Sequence, residues 1–311
     1  MTQTHDLIPA WTPAQAKAFR KAPVKFAHRM AESGLFEDDA LADLLDRYPA
    51  ELFDINLFDF DEDGQMRMRT GARGDLPGKE ILKGVKAGRV WVQLRGAEQH
   101  QAGLKDLIED AFAQIAANAP GFKPVQLNGQ LIISAPQAKV PFHADAPGVV
   151  LFHIRGAKRI WIYPADERHV PQRSMEDIML KAQTEDLPYR REMDAEAEVL
   201  DLAAGEAVSW PLHAPHRVEN LGEFSVSLSV DYQTWPSRIV NGAHYANGVL
   251  RRAGVPVARM SRTPVLARVG LWAAALGLRR TNLVADKIHN LERTFELDGK
   301  PILAEPQGVR R

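Results

Sequence analysis

Apolar and polar residues keep different rhythms along this chain. Over residues 13 to 48 apolar positions fall at helical spacing among charged ones, as in the run from Phe36 to Asp46, and predict two or three helices. Leu52 to Phe60 and Gln65 to Arg69 read as strands about Asp63 and Gly64, a favoured hairpin pair. A strand at Val90 to Leu94 and a helix at Leu104 to Ala117 follow, the helix closed by Asn118, Pro120 and Gly121.

From Val125 the pattern becomes β-rich. Strands are predicted at Gln126 to Ser134, Val140 to Asp145, Val149 to Ile154, Lys158 to Tyr163, Val199 to Leu202, Ala207 to Trp210, His216 to Glu219 and Phe224 to Tyr232. Many short strands broken by glycine and proline predict a mainly β fold with α additions, a jelly roll. Between the strands, Arg168 to Met193 is a charged insertion with a short helix around Ser174 to Ala182. After Pro236 helical spacing returns, roughly over 237–252, 263–277 and 281–296. The expected division is 1–124, a helical and β part packing on the barrel; 125–235, the jelly-roll core; and 236–311, a C-terminal helical region.

Composition narrows the chemistry. A chain of 311 residues, 45% hydrophobic, buries a sizeable core. Lys and Arg number 39 against 40 Asp and Glu, so no global field favours nucleic acid, and none is expected as a partner. With no cysteine, disulfides, thiolate nucleophiles and cysteine-held metals are excluded, leaving histidine and carboxylate as metal ligands. The N-terminus has no signal-like run, from which a cytoplasmic protein is expected. The longest apolar stretch, Val269 to Leu278, is far below the roughly 20 residues of a membrane span. It is expected to be a buried or dimer-forming helix, giving a homodimer through the C-terminal helices. Arginines 251, 252, 259, 262, 268, 279 and 280 make this tail basic, as a solvated face or as a dock for an acidic partner. Asp59, Asp61, Asp63 and Gly64 echo the start of a calcium loop. Its twelfth position would be Thr70 in place of glutamate, which favours a plain hairpin.

The most specific signal is His143 and Asp145 on one predicted strand. Residues two apart share a face, so both side chains can meet one interior while the small Ala144 turns away. With His216 from a distant strand they make a two-histidine, one-carboxylate set, the ligand set of non-haem Fe(II) oxygenases. His213, three residues earlier, would tend to face the opposite way and line the loop or rim. His153 reads as a core or pocket histidine. Lys158 opens an otherwise apolar, aromatic strand, where burial is costly unless a negative partner meets the ammonium. The alternative is that it snorkels from a strand edge.

These residues resemble the JmjC and cupin-like 2-oxoglutarate oxygenases over roughly residues 125 to 235, and most closely the branch of the hypoxia-response asparaginyl hydroxylase. Lys158 lies thirteen residues beyond Asp145 within Gly156 to Arg159, and His216 lies five beyond Pro211 and before Val218 to Asn220, as in that branch. The resemblance implies a double-stranded β-helix, Fe(II) held by His143, Asp145 and His216, and 2-oxoglutarate held at its far carboxylate by Lys158. The family often has a hydroxyl three residues before the first histidine, where this chain has Val140, so another hydroxyl is expected to help. Candidates are Tyr163, Ser227, Ser229 and Tyr232. The implied activity is hydroxylation of a C–H bond of a protein side chain, peptide or small molecule, with release of succinate and CO2. The rival readings are a non-catalytic cupin-like binding or regulatory protein, and a metal cupin enzyme that does not use 2-oxoglutarate.

Overall fold

Two packed sheets frame the molecule, which is described by a computed structural model over residues 6–60, 66–88, 90–280 and 293–296. In chain order the elements are α1 (Pro13–Ala18), β1 (Val24–Ala27), α2 (Asp38–Arg47), β2 (Phe53–Phe60), β3 (Met66–Ala72), α3 (Gly78–Ala87), β4 (Val90–Arg95), α4 (Ala97–His100), α5 (Leu104–Asn118), β5 (Gln126–Ser134), β6 (Lys139–His143), β7 (Gly148–Arg155), β8 (Ala157–Ile162), α6 (Gln172–Met179), β9 (Glu198–Ala203), β10 (Glu206–Ser209), β11 (His216–Asn220), β12 (Ser225–Gln233), α7 (Trp235–Arg252), α8 (Val265–Arg280) and β13 (Arg293–Glu296).

The large sheet runs β1-β10-β7-β12-β5-β4-β2-β3-β13 and the small sheet β6-β11-β8-β9. All pairings are antiparallel except that of β13 with β3. The interleaving of late and early strands across two facing sheets is the jelly-roll arrangement. Val149 and Leu151 of β7 and Val208 of β10 pack between the sheets on Ile160, Ile162, Leu202 and Val218 of the small sheet. The opposite face of the large sheet carries the main core. There Leu41, Leu44 and Leu45 of α2, Ile81 and Val85 of α3, and Ile108, Phe112 and Ile115 of α5 meet Val92, Leu131, Ile133, Phe152 and Leu228. Each such side chain contributes roughly 1.5–3 kcal/mol by leaving water.

Two expectations change. The first part of the chain is not only helical up to residue 48. Val24 and Phe26 are buried and alternate with exposed Lys25 and Ala27, and this short strand pairs with β10 through Val24 and Ser209. Strands β1 to β4 also belong to the same sheet as β5, so the sheet runs continuously across residue 124. The helix expected over 281–296 falls largely outside the described residues, and 293–296 form a strand beside β3. Strands β2 and β3 pair as a hairpin, Leu57 opposite Arg69, while the turn at 61–65 with its calcium-loop echo lies outside the described residues.

Beyond the barrel, α7 starts at a capping box in which Thr234 and Ser237 bond each other's backbone, with Pro236 in the first turn. It packs on α6 and α8 through Leu180, Tyr245, Ala246 and Ala275. Among the described residues no helix is long and apolar enough to cross a membrane.

Candidate functional site

A tight turn sets the register of the site. Gly156, at φ +85°, links β7 to β8, and a Cβ there would fall 2.4 Å from the Phe224 carbonyl oxygen, so only glycine fits. Strand β8 then alternates strictly: Lys158, Ile160 and Ile162 are buried between the sheets, and Arg159 and Trp161 face outward. On β11, His216 lies opposite both Ile162 of β8 and His143 of β6.

The three expected ligands come together. His143 Nε2 is 3.6 Å from one Asp145 carboxylate oxygen and His216 Nε2 is 3.4 Å from the other, and one ligand atom from each residue lies within 4.8 Å of the rest. The far nitrogens are engaged: His143 Nδ1 donates to the Pro141 carbonyl (2.8 Å) and His216 Nδ1 to the Ala214 carbonyl (3.3 Å). With the proton on Nδ1, each Nε2 turns a lone pair toward Asp145, as a metal ligand requires. Burial foremost, then the charge of His143, holds His216 well below the usual histidine range. Burial raises Asp145 against the opposing pull of His143. Two imidazoles and a carboxylate thus converge on one point, a donor set that fits a divalent ion. Trp210 packs its ring 4.3 Å from that of His216.

The ligands open into a cavity of about 660 Å³. Lys158 lines it, is 4% exposed, and has no hydrogen bond or ion pair to its ammonium among the described residues. Burial alone lowers it to about 7. Most other polar groups on the walls are already engaged. Asn220 Nδ2 donates to Ser134 Oγ (2.9 Å) and to the Ala135 carbonyl (2.7 Å). Gln93 donates to Gln130, Gln130 to Asp231 (3.0 Å), and Arg95 to Asp54 (2.8 Å). The charged insertion reaches the mouth, where Ile178 and Glu185 join the lining. Glu185 clasps the ligand segment, its carbonyl accepting from Ala144 N (3.1 Å) and its carboxylate from Ala146 N (3.2 Å).

The expected hydroxyl helpers part company. Tyr163 continues the outward face of β8, where its hydroxyl donates to Asp194 (2.5 Å) and accepts from Arg217 (3.0 Å), away from the cavity. Tyr232 lies on the helix-facing side of β12, packed on Phe112 and Phe122. Ser227 has the right face but sits deeper, sharing a hydrogen bond with His153 Nδ1 (3.0 Å), and is absent from the cavity wall. Ser229 alone of the four lines it. His213 occupies the turn before β11 at φ +63° and bonds Asn241 of α7 (2.8 Å), outside the ligand set. Sequence reasoning missed Trp91, Asn220 and Glu185. For Trp91 the signal was present, since Val90, Val92 and Leu94 form one apolar face of β4 and leave Trp91, Gln93 and Arg95 for the other.

No protein-family model matches the chain, and no curated protein matches its sequence. Among solved structures it is similar to YcfD, a ribosomal oxygenase from Escherichia coli. The complex of YcfD with cobalt and 2-oxoglutarate is 15% identical over 87% of this chain and 67% of that one, with a TM-score of 0.49. The complex with cobalt and succinic acid is 15% identical over 90% and 69%, with a TM-score of 0.48. These neighbours are of a ribosomal oxygenase and not of an asparaginyl hydroxylase. The jelly-roll fold is defined by the chain's own strand order.

Proposed function

We propose that the chain is an Fe(II)- and 2-oxoglutarate-dependent oxygenase that hydroxylates a C–H bond of a protein side chain or small molecule. One observation carries the reading: a two-histidine, one-carboxylate set and a buried lysine without a partner line the same cavity. His143, Asp145 and His216 would hold Fe(II) by Nε2, carboxylate and Nε2. Bound there, Fe(II) with 2-oxoglutarate supplies the oxidising chemistry that uses dioxygen and releases succinate and CO2. Lys158 would pair with the far carboxylate of the co-substrate, orienting its oxo-acid end to the ligands. Trp210 packs against the His216 ring and would help hold its orientation. The branch resemblance to the asparaginyl hydroxylase rests on the Lys158 and His216 registers and is not extended to a substrate.

Two measurements test this. Purified protein given Fe(II), ascorbate and 2-oxoglutarate is expected to form succinate without added substrate. His216→Ala is expected to lose both iron and succinate formation, while His213→Ala keeps iron. Stoichiometric iron in His216→Ala, or no succinate from fully loaded wild type, would overturn the reading.

A further inference from the structure

Two buried donors without acceptors among the described residues line the same cavity. One is the Lys158 ammonium. The other is the Trp91 indole N–H: Trp91 is 6% exposed, lines the cavity, and its Nε1 has no hydrogen-bond partner among the described residues. The two are linked through neighbours. Trp91 of β4 lies opposite Ser134 of β5, Ser134 accepts from Asn220, and Asn220 of β11 lies opposite Lys158 of β8. Asn220 gives its amide N–H to Ser134 Oγ across the two sheets, and no oxygen of either residue accepts from the indole. Val140, packed with Trp91, Ala138 and Ile132, offers no polar group.

A buried N–H without an acceptor is rare in native proteins and calls for a missing partner. An ammonium lining the same cavity selects an anion, and a carboxylate has two oxygens, one for each donor. We propose that the Trp91 indole N–H is a second donor to the far carboxylate of 2-oxoglutarate, next to Lys158. The chain thereby meets with an indole the need that sequence reasoning assigned to a hydroxyl. This inference rests on the oxygenase reading and names a binding residue that lies outside residues 125–235.

Calorimetry on the manganese-substituted protein compares 2-oxoglutarate with 2-oxopentanoate, which has the same chelating end and a methyl in place of the far carboxylate. Wild type is expected to prefer 2-oxoglutarate. Trp91→Phe, which keeps the ring and removes the donor, is expected to weaken 2-oxoglutarate by about ten- to a hundredfold, the range for a hydrogen bond to a charged group. Binding of Mn(II) and of 2-oxopentanoate should hold. In wild type, NMR should show the Trp91 indole N–H resonance shifting downfield in the zinc-substituted protein with 2-oxoglutarate and not with 2-oxopentanoate, a readout that does not depend on the variant folding. Equal 2-oxoglutarate affinity in wild type and Trp91→Phe, or an unmoved indole resonance, overturns the role of Trp91 and leaves the oxygenase reading standing. Failure of wild type to bind 2-oxoglutarate strikes both.

Discussion

Lys158 is a buried cation in the cavity wall with no carboxylate partner among the described residues. Its value falls from 10.5 to about 7 because burial strips water from the ammonium and no carboxylate replaces it. Between those two values the unfolded chain holds a proton that the native protein lacks. The contribution of this residue to stability therefore rises with pH across that window, and its cost is fully present below about pH 7. A carboxylate ligand reverses the balance by returning the proton. Affinity for 2-oxoglutarate is expected to fall roughly tenfold per pH unit above the Lys158 value. Lys158→Met should abolish that slope, keep Mn(II), and raise the dissociation constant by about thirty- to several-thousandfold, the range for removing one partner of a buried charge pair. Calorimetric titration of wild type and Lys158→Met at a series of pH values checks both. A slope that persists in the variant would detach the pH dependence from this lysine.

At the scale of elements, period and parity decide what the sequence could show. Strand period put His143 and Asp145 on one interior face; β6 ends at His143 and Asp145 follows just beyond it, yet the two still converge, and the same period would also have sorted the hydroxyls. On β8, inward Lys158, Ile160 and Ile162 send Tyr163 outward. On β12, Ser227, Ser229 and Asp231 share the barrel face while Leu228, Val230 and Tyr232 join the helical core. The pairing of β1 with β10 was not legible, because a four-residue strand has little local pattern and its partner is remote in sequence. The face of Trp91 could be read from β4, but its place in the cavity wall could not, because that depends on β4 continuing the barrel sheet. Helix pairing gives a separate test in two glycines. A Cβ on Gly242 of α7 would lie 2.5 Å from the Trp272 ring and 3.3 Å from its Cα, while one on Gly270 of α8 meets nothing within 4 Å. Alanine gains about 1 kcal/mol of helix propensity at either site. At Gly242 overpacking of about 1–3 kcal/mol outweighs it. Thermal unfolding should therefore show Gly270→Ala stabilised and Gly242→Ala destabilised; equal shifts would mean that α7 and α8 do not pack as closely as described.

At the scale of the whole molecule, α8 turns apolar side chains to solvent. Of its residues only Ala275 is buried, whereas Val265 and Leu266 are 68% and 86% exposed and Leu276 is 43% exposed. Contiguous exposed apolar patches mark contact surfaces, and these side chains on one helix are the candidates for such a patch. A second copy of the chain is the partner we expect, since the same face on two protomers can pair about a two-fold axis. The helices are also tied to the site: Asn241 of α7 donates to the Ala146 carbonyl (2.8 Å), next to Asp145, and bonds His213 (2.8 Å) before His216. Pairing through α8 would thus brace the element that holds the loop ahead of the third ligand. Light scattering at micromolar concentration is expected to give twice the chain mass of 34.6 kDa. Leu266→Asp with Leu276→Asp should give a monomer with unchanged helix content, because both side chains already face outward. A wild-type monomer at that concentration, or a dimer untouched by the two aspartates, removes α8 as the interface.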